Sequence, residues 1–367
     1  MTTALIWDER YFWYEFGDYR SLMGDHPWLQ PGSYAETPDS KRRILNLLHA
    51  SGLLDHMTAL QPVAVTESEL CCFHDAAYVR RVRELSANGG GVASRGAPVP
   101  AGGYEIAALA VGGVKTAIDA VLRGAATNAY ALVRPPGHHA ERDHGAGLCI
   151  FANAAVATRL AMREHGLHRV AIVDWDAHHG NGTESAFYDD PSVLTISIHQ
   201  DLVIPGRGAV RDCGRDEGEG YNINVPLPPG SGTGAYLAAM DRVVAPALRR
   251  FRPELILVAS GVDACASDPT ARMLLHADSY RFLTARLMGL AAELCAGRLV
   301  MTHEGGYDPS ATPFCALAIM EEMSGIRTPV KDPFGELRED ALTDYQRLLP
   351  HQDDVIRQAE ALLALMR

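Results

Sequence analysis

The stretch Val170-Ala-Ile-Val-Asp174-Trp-Asp176-Ala-His178-His-Gly-Asn-Gly182 changes abruptly from apolar to polar residues. Its apolar start is typical of a buried strand, and its glycines allow the backbone to turn sharply afterwards. In an extended chain, Asp176 and His178 project from the same face. A carboxylate beside an imidazole at a strand end is a pair of ligands that suits zinc. Asp174 lies one step deeper on that face, where a residue that orients the metal site is expected.

Composition indicates a globular protein with a large core. The chain has 367 residues, of which 47% are hydrophobic and 21% charged. The 33 basic and 45 acidic residues give a net charge of −12, which argues against a nucleic-acid partner because nucleic acids are bound by concentrated basic faces.

Cysteine usage and hydropathy bear on the cellular location. The seven cysteines form no CxxC pair, which predicts neither a disulfide framework nor a zinc ribbon. The apolar run at the N-terminus is too short for a signal peptide, and no stretch approaches the ~20 apolar residues of a membrane span. We therefore expect a cytoplasmic protein that has no membrane partner.

Apolar runs alternate with helical patterns along most of the chain, which predicts an α/β fold. Because the runs lack a period of two, they indicate a parallel sheet covered by helices on both faces. We expect one domain over residues 1–367, with a last helix at 353–366. Residues 8–40 are predicted to be a long loop, either a rim of the site or an arm for subunit contact, and the glycine-rich segment 88–103 a loop. The predicted strands are 4–7, 128–133, 169–174, 192–198, 221–225, 255–259 and 298–302.

Polar clusters directly follow four of the predicted strands. Parallel sheets bind ligands beyond the carboxyl ends of their strands, so the clusters are expected to meet at one site. They are Arg134-Pro-Pro-Gly-His138-His139, the stretch from Asp174 to Gly182, Ser260-Gly-Val-Asp263 and His303-Glu-Gly-Gly-Tyr307.

The residue types in these clusters suit metal-assisted hydrolysis. Asp263 is the best candidate for a third metal ligand, although alone it would more often be a helix cap. His138 and His139 follow two prolines in a rigid loop, and Asp174 and Asn181 are available to orient one histidine each. Such an asymmetric pair would make one imidazole a general base and leave the other protonated. Tyr307 is expected to stabilise an oxyanion, the alternative being a packed surface tyrosine.

Five motifs occur in order along the chain: Arg134-Pro-Pro-Gly-His138-His139, Gly147-Leu148-Cys149, Asp174-Trp-Asp176-Ala-His178-His179-Gly-Asn181-Gly, Ser260-Gly-Val-Asp263 and Glu304-Gly-Gly-Tyr307. Together they resemble the signature series of zinc-dependent histone deacetylases, most closely the class II branch and its bacterial histone-deacetylase-like amidohydrolases. The resemblance implies the arginase–deacetylase fold, an open, mainly parallel sheet of about eight strands with helices on both faces.

The resemblance also implies a role for individual residues. One zinc ion would be bound by Asp176, His178 and Asp263. His138 would pair with Asp174, and His139, as the general base, with Asn181. Tyr307 would polarise the scissile carbonyl, the Gly147 carbonyl oxygen would accept the substrate N–H, and Gly306 is a further expected substrate contact. Structural K⁺ is implied at two sites: Asp174, Asp176, His178, Ser197 and Ile198 for the first, and Phe187, Asp190, Val193 and Tyr221 for the second.

The chain departs from the family pattern where substrate is held. Leu148 and Ile204 stand where the family usually has two phenylalanines that line an acyl-lysine tunnel. Thr270 replaces an apolar wall residue that is glutamate in polyamine deacetylases, and Gly96 lies nearest to the place of a rim aspartate that is missing. The ligand motif reads Gly-Val262-Asp instead of the bacterial Gly-Phe-Asp.

We therefore predict a zinc-dependent amidohydrolase that cleaves an acyl-lysine or a small acylated amine and forms a homo-oligomer. An acetylpolyamine amidohydrolase is an alternative, disfavoured by Thr270. An arginase-like enzyme with two metals would need further bridging aspartates. A non-catalytic binding module on the same scaffold is disfavoured because Tyr307 and the zinc ligands are retained.

Overall fold

An eight-stranded sheet forms the centre of the computed structural model, which describes residues 2–18, 27–30, 32, 34–335 and 343–366. All neighbouring strands in it are parallel, in the order β2-β1-β5-β10-β9-β6-β7-β8. A separate antiparallel hairpin contains β3 and β4. The strands are β1 Thr3–Ile6, β2 Thr58–Leu60, β3 Gly90–Ser94, β4 Ala97–Pro100, β5 Asn128–Ala131, β6 Val170–Asp174, β7 Val193–Gln200, β8 Asn222–Leu227, β9 Leu255–Ser260 and β10 Leu299–His303.

Helices cover both faces of the sheet, as the sequence predicts. Successive residues of β6 point to opposite faces, and both sets are apolar: Ala171 and Val173 belong to one core, Val170 and Ile172 to the other. The α-helices whose bounds fall within the described residues are α1 Pro38–Ala50, α2 Glu67–Leu70, α3 Ala76–Ala87, α4 Gly103–Leu122, α5 Asn153–His165, α6 Asn181–Phe187, α7 Thr233–Ala239, α8 Ala245–Phe251, α9 Ala277–Cys295, α10 Thr312–Ser324 and α11 Pro350–Leu362.

The predicted α/β fold is confirmed, and the seven predicted strands lie within about one or two residues of the predicted bounds, as is usual for element ends. The short edge strand β2 was not predicted. The loop prediction for 88–103 is wrong, because β3 and β4 form a hairpin there. Its glycines and prolines hide the alternation that marks a strand. The hairpin docks on the segment that contains Gly147: Ser94 Oγ donates to the Gly145 carbonyl at 2.6 Å, and the Leu148 N–H donates to the Gly96 carbonyl at 2.7 Å.

The segment 8–40 contains more structure than the predicted long loop. A 3₁₀ helix occupies Glu9–Trp13, α1 begins at Pro38, and Tyr11 and Tyr14 are buried. Residues 19–26, 31 and 33 of this prediction lie outside the described residues. Residues 9–16 pack into the core of their own chain, so this part of the segment is not a free arm for subunit contact. The homo-oligomer stays a prediction. The last helix also begins earlier than predicted, at Pro350, and ends in a 3₁₀ turn at Leu363–Leu365.

The sheet order explains why the polar clusters meet. Strands β5, β10, β9 and β6 are consecutive neighbours in the sheet, and each of the four clusters follows one of them. Parallel neighbours present their carboxyl ends at the same edge. The clusters that contain His138, Tyr307, Asp263 and Asp176 therefore lie side by side at one edge of the sheet.

His74 fastens the segment 141–152, which contains Gly147, to the rest of the protein. The side chain is buried; its Nε2 accepts the Ala152 N–H at 2.9 Å, and its Nδ1 lies 3.3 Å from the Arg142 carbonyl oxygen. Burial lowers the pKa of His74 to about 4. The folded state therefore favours the neutral ring, whereas the unfolded chain takes up a proton near pH 6.5.

We expect His74 to contribute to a loss of stability as the pH falls. The stability that the neutral His74 ring contributes is fully present above pH 6.5 and is lost between about pH 6.5 and pH 4, because the unfolded chain takes up a proton in that range. The free energy of unfolding should fall by an amount on the order of 3 kcal/mol. In His74→Gln, the amide oxygen can still accept the Ala152 N–H but does not titrate. Urea unfolding between pH 7 and pH 4.5 should therefore show a shallower pH dependence in the variant, and equal slopes would contradict this role.

Candidate metal centre and active site

Two carboxylates and one imidazole form a compact group at the carboxyl edge of the sheet. His178 Nδ1 lies 3.1 Å from Asp176 Oδ1 and 2.8 Å from Asp263 Oδ2. One ligand atom from each of the three residues lies within 4.8 Å of the others, and both aspartates are buried. These are the three side chains predicted to be the metal ligands.

Backbone contacts hold the two aspartates in place. Asp176 accepts the Gly305 N–H on Oδ2 at 2.8 Å, and Asp263 accepts the Ala177 N–H on Oδ1 at 2.8 Å. Gly305 must be glycine, because a Cβ there would lie 2.4 Å from Asp263 Oδ2 and 2.7 Å from Asp176 Oδ2. The turn before Tyr307 therefore packs directly against the proposed ligands.

The electrostatics of this group fit a bound divalent cation. Burial raises the pKa of Asp263 to about 7, and the charge of Asp176 adds to the rise. Two buried carboxylates in mutual repulsion are stable when a cation neutralises them. Carboxylate oxygens with one imidazole nitrogen are a donor set that zinc accepts, so the three residues fit a zinc site that leaves a position open for water.

The two adjacent histidines have different partners. His138 Nδ1 lies 2.9 Å from Asp174 Oδ2, whereas His139 Nδ1 lies 2.8 Å from Asn181 Oδ1. Burial opposes charge on His138, but Asp176 and Asp174 outweigh it and raise its pKa to about 10. Burial and the neighbouring charges of His138 and His178 lower the pKa of His139 well below its usual value. One ring is therefore protonated and the other neutral.

Tyr307 is half-buried, and the charges of Asp263 and Asp176 act on its hydroxyl. Its N–H donates to Asp268 Oδ2 at 2.8 Å, and the Lys41 ammonium lies 4.8 Å from its ring centroid. Lys41 also donates to the Gly306 carbonyl at 3.2 Å. Burial raises the pKa of Tyr307, and the charges of Asp263 and Asp176 raise it further, so the phenol retains its proton at neutral pH.

The residues predicted to contact substrate occupy different environments. Gly147 lies against the His139 ring, since a Cβ there would be 2.3 Å from its Cδ2. Leu148 is buried, with a left-handed φ of 70°. The Thr270 hydroxyl donates to Asp268 Oδ1 at 2.6 Å and so has a partner within its own loop. Ile204 is 76% exposed, so it does not form an enclosed wall.

The residues predicted to bind K⁺ form two sets. The first lies on β6, in the turn after it and on β7; the second lies at the end of α6, before and at the start of β7, and just before β8. In the first set, Asp174 and Ser197 are partners across the β6–β7 register. The Ser197 hydroxyl also contacts His199 Nδ1 at 2.9 Å. In the second set, the Phe187 carbonyl accepts the Asp190 N–H at 3.1 Å, and the Tyr221 carbonyl accepts the Thr195 N–H at 2.9 Å.

Sequence reasoning assigned no role to Glu304, although it begins the last motif. Glu304 is buried, and its Oε2 accepts the Gly137 N–H at 2.7 Å and the His138 N–H at 3.1 Å. Glu304, His138 and Cys149 also form a second group with ligand atoms within 4.8 Å. Because Glu304 and His138 already have protein partners, we interpret this group as the support of the histidine loop. Its motif position was the available signal.

A buried ionic network behind Tyr307 was also missed. Glu36 lies 2.7 Å from Arg134 Nη2 and 3.1 Å from Lys41 Nζ, and all three side chains are buried. Arg134 donates to the Tyr11 carbonyl at 3.0 Å as well. The network thus connects the N-terminal segment, α1 and the turn that contains Gly306. Arg134 opened a predicted motif, but the sequence gives no signal for its partner Glu36.

Comparisons with known proteins agree on one family. A family profile described as "Histone deacetylase domain" matches residues 34–323. The chain is 47% identical to a histone deacetylase-like amidohydrolase of Pseudomonas aeruginosa over 94% of this chain and 93% of that one. It is 34% identical to a probable deacetylase of Archaeoglobus fulgidus, with coverage of 92% and 91%. The crystal structure of the HDA15 HD domain superimposes with a TM-score of 0.81 at 29% identity, covering 100% of this chain and 99% of that one.

Within the described ranges, no helix has both the length and the apolar character that crossing a bilayer requires.

We expect one divalent ion per chain, held by the group that contains Asp176, His178 and Asp263. Asp263→Ala removes a ligand, so it should abolish stoichiometric metal binding, as measured by elemental analysis of dialysed protein. Asp241→Ala, which changes a half-exposed aspartate paired with Arg286, is the matched control and should retain the ion. Two ions per chain in the unmodified protein, or a full complement in Asp263→Ala, would reject this site.

Proposed function

The chain belongs to the histone deacetylase family, and we propose that it is a zinc-dependent deacylase of an acyl-lysine or a small acylated amine. One observation supports this most strongly: the group of Asp176, His178 and Asp263, whose two aspartates are buried, lies beside a histidine pair and Tyr307. The same edge of the sheet thus combines a candidate metal site, a candidate base and a candidate oxyanion donor. Such a combination suits hydrolysis of an unstrained amide.

The protein residues divide the proton chemistry among them. A bound zinc ion would supply a water of lowered pKa and polarise the scissile carbonyl. In the proposal, His139 is the neutral ring that accepts a proton from the attacking water and returns it to the leaving nitrogen. His138 retains its proton next to Asp174 and supplies positive charge. The Tyr307 hydroxyl donates a hydrogen bond to the carbonyl oxygen as negative charge develops there.

The alternative functions have weaker support. Among the residues that the structure describes, the candidate metal groups include no pair of sites bridged by aspartates, which an arginase-like reaction would need. An acetylpolyamine substrate would benefit from a carboxylate at position 270, where Thr270 instead donates its hydroxyl to Asp268. At the carboxyl edge of the sheet the predicted metal ligands are in mutual contact, which disfavours a non-catalytic module.

Three further predictions belong to the same proposal. We propose structural K⁺ at the two predicted sets, supported at the first by the pairing of Asp174 with Ser197. A single catalytic domain is proposed because one continuous sheet brings the motifs together. A cytoplasmic location is supported by the seven cysteines, none of which forms a disulfide, as suits a reducing compartment.

A hydrolysis screen tests the proposal. Zinc-loaded protein is offered acyl-lysine peptides with acetyl and longer acyl groups, acetylated polyamines and small acyl amides, and free amine is measured. We expect turnover of at least one acyl-lysine or small acylated amine, lost after chelation and restored by zinc. Hydrolysis of none of them, or turnover that survives complete chelation, would contradict the proposal.

Tyr307→Phe should retain the fold and the metal but lose most turnover. The loss of one donor to a developing oxyanion typically costs ~10²–10³ in rate, so kcat should fall by about that factor. The measurement is steady-state kinetics on the best substrate from the screen, with metal content and thermal melting as controls. An unchanged kcat would place the oxyanion donor elsewhere.

Leu148→Phe should shift the acyl preference towards acetyl-lysine. A ring at position 148 narrows the slot, whereas leucine and the exposed Ile204 leave space for bulkier acyl groups. A change of one methylene in the fit between an apolar slot and its substrate alters discrimination by about 1–3 kcal/mol. The measurement is kcat/KM for an acyl-lysine series, with thermal melting as a control because Leu148 is buried. An unchanged preference, together with efficient acetyl-lysine cleavage by the unmodified protein, would contradict the widened slot.

A further inference from the structure

A chain of hydrogen bonds leads from the protein surface to His139. Arg207 Nη1 donates to Glu141 Oε1 at 3.0 Å, and Asn181 Nδ2 donates to the same oxygen at 2.8 Å. The other end of the Asn181 amide, Oδ1, lies 2.8 Å from His139 Nδ1. Glu141 and Arg207 both lie outside the five sequence motifs.

The neighbours of Asn181 fix the orientation of its amide. Nδ2 lies 2.8 Å from Glu141 Oε1 and 3.4 Å from the His139 carbonyl oxygen, and both atoms accept hydrogen bonds only. An inverted amide would place its oxygen against two acceptors, so the donor end must face Glu141. The carbonyl end of Asn181 consequently faces the imidazole.

The orientation of the amide decides which nitrogen of His139 carries the proton. Because Asn181 Oδ1 only accepts, the His139 Nδ1 next to it must be the protonated nitrogen. The Nε2 lone pair then remains free on the other side of the ring, which is the atom that a general base needs. The opposite tautomer would carry its proton on Nε2 and could not accept another there.

We propose that Glu141 is a positioning residue that selects the base-competent tautomer of His139 through Asn181. The inference rests on the proposed function. Only 17% of the Glu141 side chain is exposed, and two donors meet on one of its oxygens, which distinguishes it from a freely solvated carboxylate.

Arg207 extends this network to the loop that contains Ile204. That loop continues to Gly208, whose carbonyl oxygen lies 3.1 Å from His199 Nε2. The Arg207 side chain is 60% exposed, so its ion pair with Glu141 contributes little to the stability of the loop. Glu141 Oε1 thus accepts both the hydrogen bond from Arg207, which holds this loop, and the hydrogen bond from Asn181, which orients His139.

Kinetics of position 141 variants test the proposal. Glu141→Ala removes the acceptor and lets the Asn181 amide rotate, so kcat on the best substrate from the screen should fall about 10- to 100-fold. KM should change less than about threefold, because no proposed substrate contact is lost. Glu141→Gln retains an oxygen for both donors and should remain within about threefold of the unmodified kcat. Glu141→Met has a similar length but offers only a weakly accepting sulfur, so it should behave like Glu141→Ala and replaces it if that variant does not fold.

Direct observation of the tautomer separates orientation from general structural damage. Two-bond ¹H–¹⁵N spectra of zinc-loaded, ¹⁵N-histidine protein report which ring nitrogen of His139 is protonated, with His139→Gln used to assign the signal. We expect Nδ1–H in the unmodified protein and in Glu141→Gln, and a mixture with Nε2–H in Glu141→Met. Retention of Nδ1–H together with an unmodified kcat in Glu141→Met would overturn the proposal.

Two surface arginine variants separate the effect of Arg207 from that of Glu141. Arg207→Ala should lower kcat by at most about fivefold, as expected for the loss of an exposed ion pair. Arg215→Ala, which removes another exposed arginine paired with Asp189, should leave kcat unchanged. An Arg207→Ala kcat below that of Glu141→Met would contradict the assignment of the main effect to Glu141. If the unmodified protein cleaves no amide, the proposed function fails, whereas the tautomer spectra still decide the role of Glu141.

Discussion

The structure depends on the burial of carboxylates next to one another at the carboxyl edge of the sheet. Asp174, Asp176 and Asp263 are at most 3% exposed. Asp174 is the last residue of β6, Asp176 lies just after β6, and Asp263 lies just after β9. An uncompensated buried charge is costly, so each carboxylate needs a partner or a cation. His138 compensates Asp174, backbone N–H groups satisfy part of the other two, and a divalent cation would neutralise the rest.

The surrounding structure brings these groups together and holds them in place. Parallel neighbours in the sheet deliver four polar clusters to one edge, and glycine at position 305 admits the turn that contains Tyr307. Behind that turn, Lys41 is paired with Glu36 and donates to the Gly306 carbonyl. Removal of one member of such a buried ionic network leaves an unpaired charge, which typically costs about 3–5 kcal/mol. The network therefore links the N-terminal segment to the geometry of the proposed oxyanion donor.

The sequence predicted features that depend on local pattern and missed those that depend on distant partners. Asp176, His178 and Asp263 could be predicted because they follow apolar strands, and parallel strands end at a common edge. The contact of Glu141 with Asn181 could not be predicted, since no periodicity specifies which carboxylate faces an amide across two loops. Similarly, the β3–β4 hairpin was missed because glycines and prolines mask its alternation. The partner of the Thr270 hydroxyl, Asp268, became known only from the loop conformation.

In the proposed site, one zinc ion at the carboxyl edge of the sheet is bound by side chains from two neighbouring strand ends. Crystals of the zinc-loaded protein with a bound hydroxamate, measured on both sides of the zinc absorption edge, test it most directly. We predict one anomalous peak per chain, bounded by the side chains of Asp176, His178 and Asp263 and contacted by the hydroxamate. A peak at another group of residues, or a hydroxamate bound away from the metal, would contradict the account.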